Sequence, residues 1–119
     1  MKKNFFALLF LSCVVLVINT AFSGEGVSVE RGKLLFNDQM LGTTGLTCNT
    51  CHGEGKGLES SFTKKQWLID GKAFDTIEAA VNACVTTGLK GKPLNVRSDD
   101  MQSMTGYIKS LGIVRNLMK

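Results

Sequence analysis

Two cysteines and a histidine in one short segment are the residues best suited to chemistry. Cys48 and Cys51 are separated by two residues, and His52 follows at once as the only histidine in the chain. Thiols at this spacing can add to the two vinyl groups of a haem, and the adjacent imidazole can then reach the iron on the proximal side. The segment predicts one covalently attached haem c, held by Cys48 and Cys51, with His52 as an iron ligand.

Two other kinds of site use the same residue types. A thioredoxin-like redox pair would follow a hydrophobic strand and begin a long helix, whereas glycine-rich sequence flanks this motif at residues 42–45 and 53–57. A zinc site would require the neighbouring residues Cys51 and His52 to bind one small ion tetrahedrally, which adjacent side chains do poorly. The motif therefore favours haem attachment.

The N-terminal segment predicts export. Lys2 and Lys3 precede an apolar stretch, residues 5–18, and small residues follow at a position suited to cleavage. We expect residues 1–23 to be a signal peptide and residues 24–119 to form the exported domain in the periplasm. An uncleaved anchor in the cytoplasmic membrane is the alternative, because residues 5–22, a run of 18, approach the roughly 20 residues that span a bilayer.

Composition indicates one small globular domain. The chain has 119 residues, of which 44% are hydrophobic and 20% charged, and these proportions exclude intrinsic disorder. The net charge of +4 includes the two lysines of the predicted signal, so the exported part is only weakly basic. This balance argues against nucleic acid as a partner.

Hydrophobic spacing and capping residues predict two helices around the motif. The first spans residues 28–39, with Ser28 as its N-cap, and directs toward a core Val29, Leu34, Leu35 and Phe36. The second spans residues 75–87, between a capping box at Asp75 and Glu78 and a terminating Gly88. One apolar face of the second helix carries Ile77, Ala80, Val81 and Cys84.

A third helix is predicted over residues 99–111, between Ser98 and Gly112, and its buried stripe contains Met101, Met104, Ile108 and Leu111. Residues 62–74 have no clear period, and we expect irregular chain there, with Trp67 packed at the haem edge.

The second axial ligand of the iron is left open by these residues. The exported domain has three cysteines, so Cys84 remains after haem attachment, on an apolar helix face. It suits a small buried apolar residue or a thiolate ligand. Met101 is the alternative ligand, and the absence of a second histidine excludes a bis-histidine iron.

The chain resembles the small class I cytochromes c. The resemblance rests on Gly32 and Phe36 in the first helix, the haem motif of residues 48–52, and Tyr107 in the last helix. It implies an all-α fold, a single small domain around one haem, in which the glycine lets the terminal helices cross closely and the aromatics pack at the crossing. The loop at residues 89–97 lacks the axial methionine that this family usually places there.

Residues 79–111 are similar to the haem domains of thiosulfate dehydrogenases and related sulfur-oxidising dihaem cytochromes. The shared features are a helix cysteine, a Gly-Lys-Pro-Leu-like loop, a Ser-x-x-Met and a Tyr-Ile-Lys-x-Leu helix. In those proteins the cysteine is an axial ligand, and Cys84 occupies the matching position.

We expect a carrier of single electrons between redox protein partners, with no catalytic residue. The alternative function is the haem subunit of an enzyme that oxidises inorganic sulfur compounds such as thiosulfate, with Cys84 at the iron.

Overall fold

The computed structural model describes residues 26–119, so the predicted signal peptide and its cleavage point lie outside the described residues. Four helices and one two-stranded sheet form this part of the chain. The helices are α1 (Val29–Phe36), α2 (Cys48–His52), α3 (Ile77–Thr87) and α4 (Asp99–Leu117), and the antiparallel strands are β1 (Trp67–Ile69) and β2 (Lys72–Phe74). No helix among these residues is long and apolar enough to cross a membrane. The predicted helical architecture is confirmed.

Helices α1 and α4 cross at close range through Gly32. A Cβ atom added to Gly32 would lie 2.7 Å from the Cβ of Tyr107 and would collide with the carbonyl oxygen of Ser103. Beside this contact, the rings of Phe36 and Tyr107 meet edge to face, with 5.2 Å between their centroids. The crossing that the resemblance to class I cytochromes implied is therefore present.

Helix α1 is shorter than predicted. Ser28 is its N-cap and accepts a hydrogen bond from the Arg31 amide at 3.0 Å, but the helix ends at Phe36. Val29 is 44% exposed and Leu34 66% exposed, so their predicted burial is wrong. Only Gly32 and Phe36 of this helix are buried, and Leu35 is half-buried against the core cluster.

Helix α3 presents the predicted face to the core, but its N-cap is Thr76 rather than Asp75. The Thr76 hydroxyl accepts from the Ala79 amide at 3.2 Å. Its buried residues are Ile77, Ala80, Val81 and Val85.

Helix α4 begins after Ser98 as predicted but continues beyond Gly112 to Leu117. Gly112 is buried within the helix, where an added Cβ would collide with the Leu58 carbonyl oxygen and the Ser61 hydroxyl. The Ser61 hydroxyl donates to the Ile108 carbonyl at 3.0 Å in the same contact. The glycine thus permits a close approach between chain segments and does not terminate the helix.

A β-hairpin replaces the irregular chain expected around Trp67. Asp70 and Gly71 form its two-residue turn, with φ angles of 49° and 78°. Positive φ at both central positions is typical of the type I′ turn that joins twisted antiparallel strands. The Asp-Gly pair was the sequence signal for this hairpin.

Candidate haem site

A cavity of about 440 Å³ lies between α2, the β-hairpin and one face of α3. This volume falls in the range of about 300–1,000 Å³ that is usual for cofactor and small-molecule sites. Its wall is mainly apolar and includes Phe36, Leu46, Leu58, Trp67, Leu68, Ile69, Ile77, Ala80, Val81, Leu89 and Ile108.

Helix α2 brings both motif cysteines to the cavity wall. Thr47 and Thr50 cap this single turn reciprocally: the Thr50 amide donates to the Thr47 hydroxyl at 3.3 Å, and the Thr47 amide donates to the Thr50 hydroxyl at 3.0 Å. Cys48 is half-buried and Cys51 is exposed, and both are free thiols. A capped turn holds the two thiols at a fixed spacing along one edge of the cavity.

His52 lines the same cavity with its tautomer fixed by the backbone. Its Nδ1 lies 2.9 Å from the carbonyl oxygen of Lys56, and since a carbonyl only accepts, Nδ1 carries the proton. The lone pair is then on Nε2, the nitrogen available to a metal. The bend that returns Lys56 to the ring includes Gly57, whose φ of 81° favours glycine.

Cys84 is the third thiol on the cavity wall. It is a half-buried free cysteine of α3, and burial together with the negative charge of Asp70 raises its pKa. Burial, followed by the effect of Cys84, raises the pKa of Cys48 to about 11. These effects favour protonated thiols, whereas a bound metal cation deprotonates a thiol that coordinates it. The structure therefore brings together the three predicted motif residues and the third cysteine, Cys84, in one cavity.

Met101 lies elsewhere. It is fully buried in the core cluster beside Met104 and is not one of the residues that line the cavity in the described part of the chain. Its surroundings are those of a packed core side chain.

Two charged residues of the cavity wall were missed by sequence reasoning. Lys64 precedes the hairpin and Asp70 lies in its turn, and both are exposed at the edge of the cavity. The Asp-Gly turn signal could have located Asp70 beside a predicted hairpin. No local pattern distinguishes Lys64 from its neighbour Lys65.

The donor set fits a haem c group. Two thiols match two vinyl groups, an imidazole with a free Nε2 matches one axial position of iron, and the apolar wall matches the macrocycle. Lys64 is the one cationic side chain on the cavity wall among the described residues, and it suits the carboxylates of the group.

The family model of the SoxA/TsdA cytochrome c domain matches residues 31–113. No curated protein and no solved structure matches the chain. The matched region runs from α1 to α4 and includes the haem motif, the hairpin and Cys84. The chain therefore belongs to the SoxA/TsdA cytochrome c domain family and is a class I c-type cytochrome with covalently bound haem c, similar to the haem domains of sulfur-oxidising cytochromes.

Proposed function

We propose that this protein is a periplasmic cytochrome with one haem that carries single electrons between redox protein partners. An electron-carrier role follows from the family. The observation that supports a single haem is that one cavity is lined by Cys48, Cys51, His52 and Cys84 together. When bound there, haem c supplies a one-electron ferrous/ferric couple.

Cys48 and Cys51 are the proposed attachment residues. The capped turn of α2 holds both thiols at the cavity edge, where each would add to a vinyl group of the haem to form a thioether. His52 is the proposed proximal ligand, and the Lys56 carbonyl orients its ring and strengthens it as a donor.

Cys84 is the proposed distal ligand. It lies on the cavity wall, whereas the alternative, Met101, lies in the core away from that wall. A thiolate increases electron density on the iron and lowers its reduction potential, while a methionine raises it. We therefore propose a low-potential carrier.

Mass spectrometry tests the attachment. Protein from a host with haem c maturation should carry the mass of one haem, and the haem should survive acid-acetone extraction. Replacement of Cys48 and Cys51 by Ala should abolish both properties. A wild-type mass that matches the apoprotein would refute the proposal.

Spectra of two variants test the distal ligand. Cys84→Ala should convert low-spin ferric iron to high-spin and raise the potential, whereas Met101→Ala should preserve the spectrum and reduce only stability. The wild type should lack the weak red charge-transfer band of methionine-ligated ferric haem. A high-spin Met101→Ala variant beside an unchanged Cys84→Ala variant would identify an ordinary His/Met carrier instead.

A haem subunit of a sulfur-oxidising enzyme is the second candidate function. The family match and the thiol of Cys84 on the cavity wall support it. Thiosulfate mixed with the ferric protein in a stopped-flow instrument distinguishes the two functions. Rapid haem reduction without a partner would favour the enzyme, and an unchanged ferric spectrum would favour the carrier.

Export is proposed from the N-terminal sequence alone. N-terminal sequencing of the soluble and membrane fractions tests it: a soluble protein that starts at Gly24 supports cleavage after Ser23. An intact N-terminus in the membrane fraction would indicate an anchored cytochrome.

A further inference from the structure

Asp70 has a fixed place at the rim of the haem cavity. It occupies the first position of the hairpin turn, where φ is 49°, and Gly71 follows with φ of 78°. The paired strands on either side hold this turn in register. Asp70 lines the cavity that contains His52 and Cys84, and it is also exposed to solvent.

Asp70 marks the boundary between the cavity and a shallow outer groove. It lines both, as do Ile69 and Thr87, while Lys72 lines only the groove. A carboxylate at this boundary faces whatever enters the cavity from the groove side. Among the described residues of the cavity wall it is the one carboxylate, and Lys64 is the one ammonium group.

The carboxylate is close enough to the third thiol to act on it. Asp70 and Cys84 line the same cavity, and Thr87, one turn after Cys84 in α3, lines both the cavity and the groove with Asp70. A charge that acts on this sulfur also acts on an iron bound beside it, because Coulomb interactions extend over several ångströms in a partly buried site.

We propose that Asp70 sets the charge selectivity of the haem cavity on its Cys84 side. The carboxylate stabilises ferric iron, which carries one positive charge more than ferrous iron, and so lowers the midpoint potential. It also repels anions and attracts cations at the opening, as charged cleft walls do. The inference rests on the proposed function, since it requires haem in the cavity, and it specifies which reactants the site accepts.

The consequence concerns the two candidate functions. An anionic sulfur compound that approaches from the groove would pass this carboxylate before it reaches the iron, whereas an electron from a partner would pass without a charged reactant entering. Asp70 thus favours transfer to a docked protein over reaction with a small anion.

The test compares Asp70→Asn with Asp75→Asn in the haem-loaded protein. Asparagine tolerates positive φ, so the turn is retained. Asp75 is a matched control because it follows the same hairpin, is exposed, and is not a residue of the cavity wall. Its bond from the Gln66 amide, 3.1 Å long, can also be accepted by an asparagine oxygen.

Two quantities are measured for each variant. The first is the midpoint potential, which should rise in Asp70→Asn and remain at the wild-type value in Asp75→Asn. The second is the ratio of the ferrous-haem oxidation rates by the hexacyanoferrate(III) anion and by the hexaammineruthenium(III) cation, both of which can oxidise a low-potential haem. A ratio offsets the change in driving force, which slows both reactions.

For Asp70→Asn the ratio should increase roughly threefold at low ionic strength and fall back toward the wild-type ratio in high salt. An unchanged potential, an unchanged ratio, or equal shifts in both variants would each overturn the proposal. Failure of the proposed function would look different, because the wild-type protein would then lack covalent haem or would show a ferric spectrum independent of Cys84.

Discussion

Replacement of Gly32 by alanine should destabilise the protein although alanine favours helices. Alanine is better than glycine in a helix by about 1 kcal/mol. Against this gain, the new methyl group would lie 2.7 Å from the Tyr107 Cβ and would overlap the Ser103 carbonyl oxygen. Because one of these atoms is backbone, the two helices must move apart.

The expected cost follows from that movement. Overpacking of a close contact costs about 1–3 kcal/mol, and loss of the edge-to-face contact between Phe36 and Tyr107 adds about 0.5–1.5 kcal/mol. After the gain in helix propensity, we expect a net loss of about 1–3 kcal/mol. For a domain of this size each kcal/mol shifts Tm by about 4–8 °C.

Thermal unfolding of the haem-loaded protein, followed by circular dichroism, measures the change. Gly106→Ala is the matched control: it lies in α4, and an added Cβ there meets nothing within 4 Å. Gly106→Ala should raise Tm while Gly32→Ala lowers it by roughly 5–20 °C. A Gly32→Ala variant as stable as Gly106→Ala would refute the reasoning about the helix crossing.

Two further variants test the cavity and its surroundings. Lys64→Gln removes the cation of the cavity wall and should lower the midpoint potential. Lys65→Gln, at a residue outside that wall, should leave the potential unchanged. Equal shifts of the two variants in potentiometry would contradict a role for Lys64 beside the haem carboxylates. Asn82→Ala removes two hydrogen bonds, from Asn82 Nδ2 to the Leu94 carbonyl at 2.9 Å and from the Leu94 amide to Asn82 Oδ1 at 2.8 Å. Since both backbone groups are partly buried, urea unfolding should show a loss of about 1–3 kcal/mol, and a change below about 0.5 kcal/mol would show that water replaces the side chain.

Short-range sequence patterns predicted the haem motif and the apolar face of α3 that lines the cavity. The spacing of Cys48, Cys51 and His52 is a short-range property, and the apolar positions that precede Cys84 repeat within one helix. Such features depend on the backbone of a single turn or a single helix. They could be inferred without knowledge of the tertiary structure.

Sequence patterns whose outcome depends on residues distant in the chain were misinterpreted. A glycine such as Gly112 often marks the end of a helix, but here the close approach of Leu58 requires a glycine inside α4. Leu34 fits an apolar helix face, but it is 66% exposed, since only Gly32 and Phe36 of α1 are buried. Lys64 reaches the cavity only because the chain after α2 returns to it.

The proposed distal ligand, Cys84, lies in a helix rather than in a loop, and this position bears on the function. The Cys84 carbonyl accepts hydrogen bonds from the amides of Gly88 and Leu89, at 2.8 and 3.2 Å, and the next residue, Val85, is fully buried. These contacts fix the backbone of the last turn of α3, so a shift of this turn away from the cavity would expose Val85 and break both bonds. A carrier benefits from ligands that keep their positions in both oxidation states, whereas an enzyme that binds substrate at the iron must release one ligand. The fixed backbone of this turn is therefore compatible with the proposed electron carrier, in which the ferric and ferrous states would share one set of ligands.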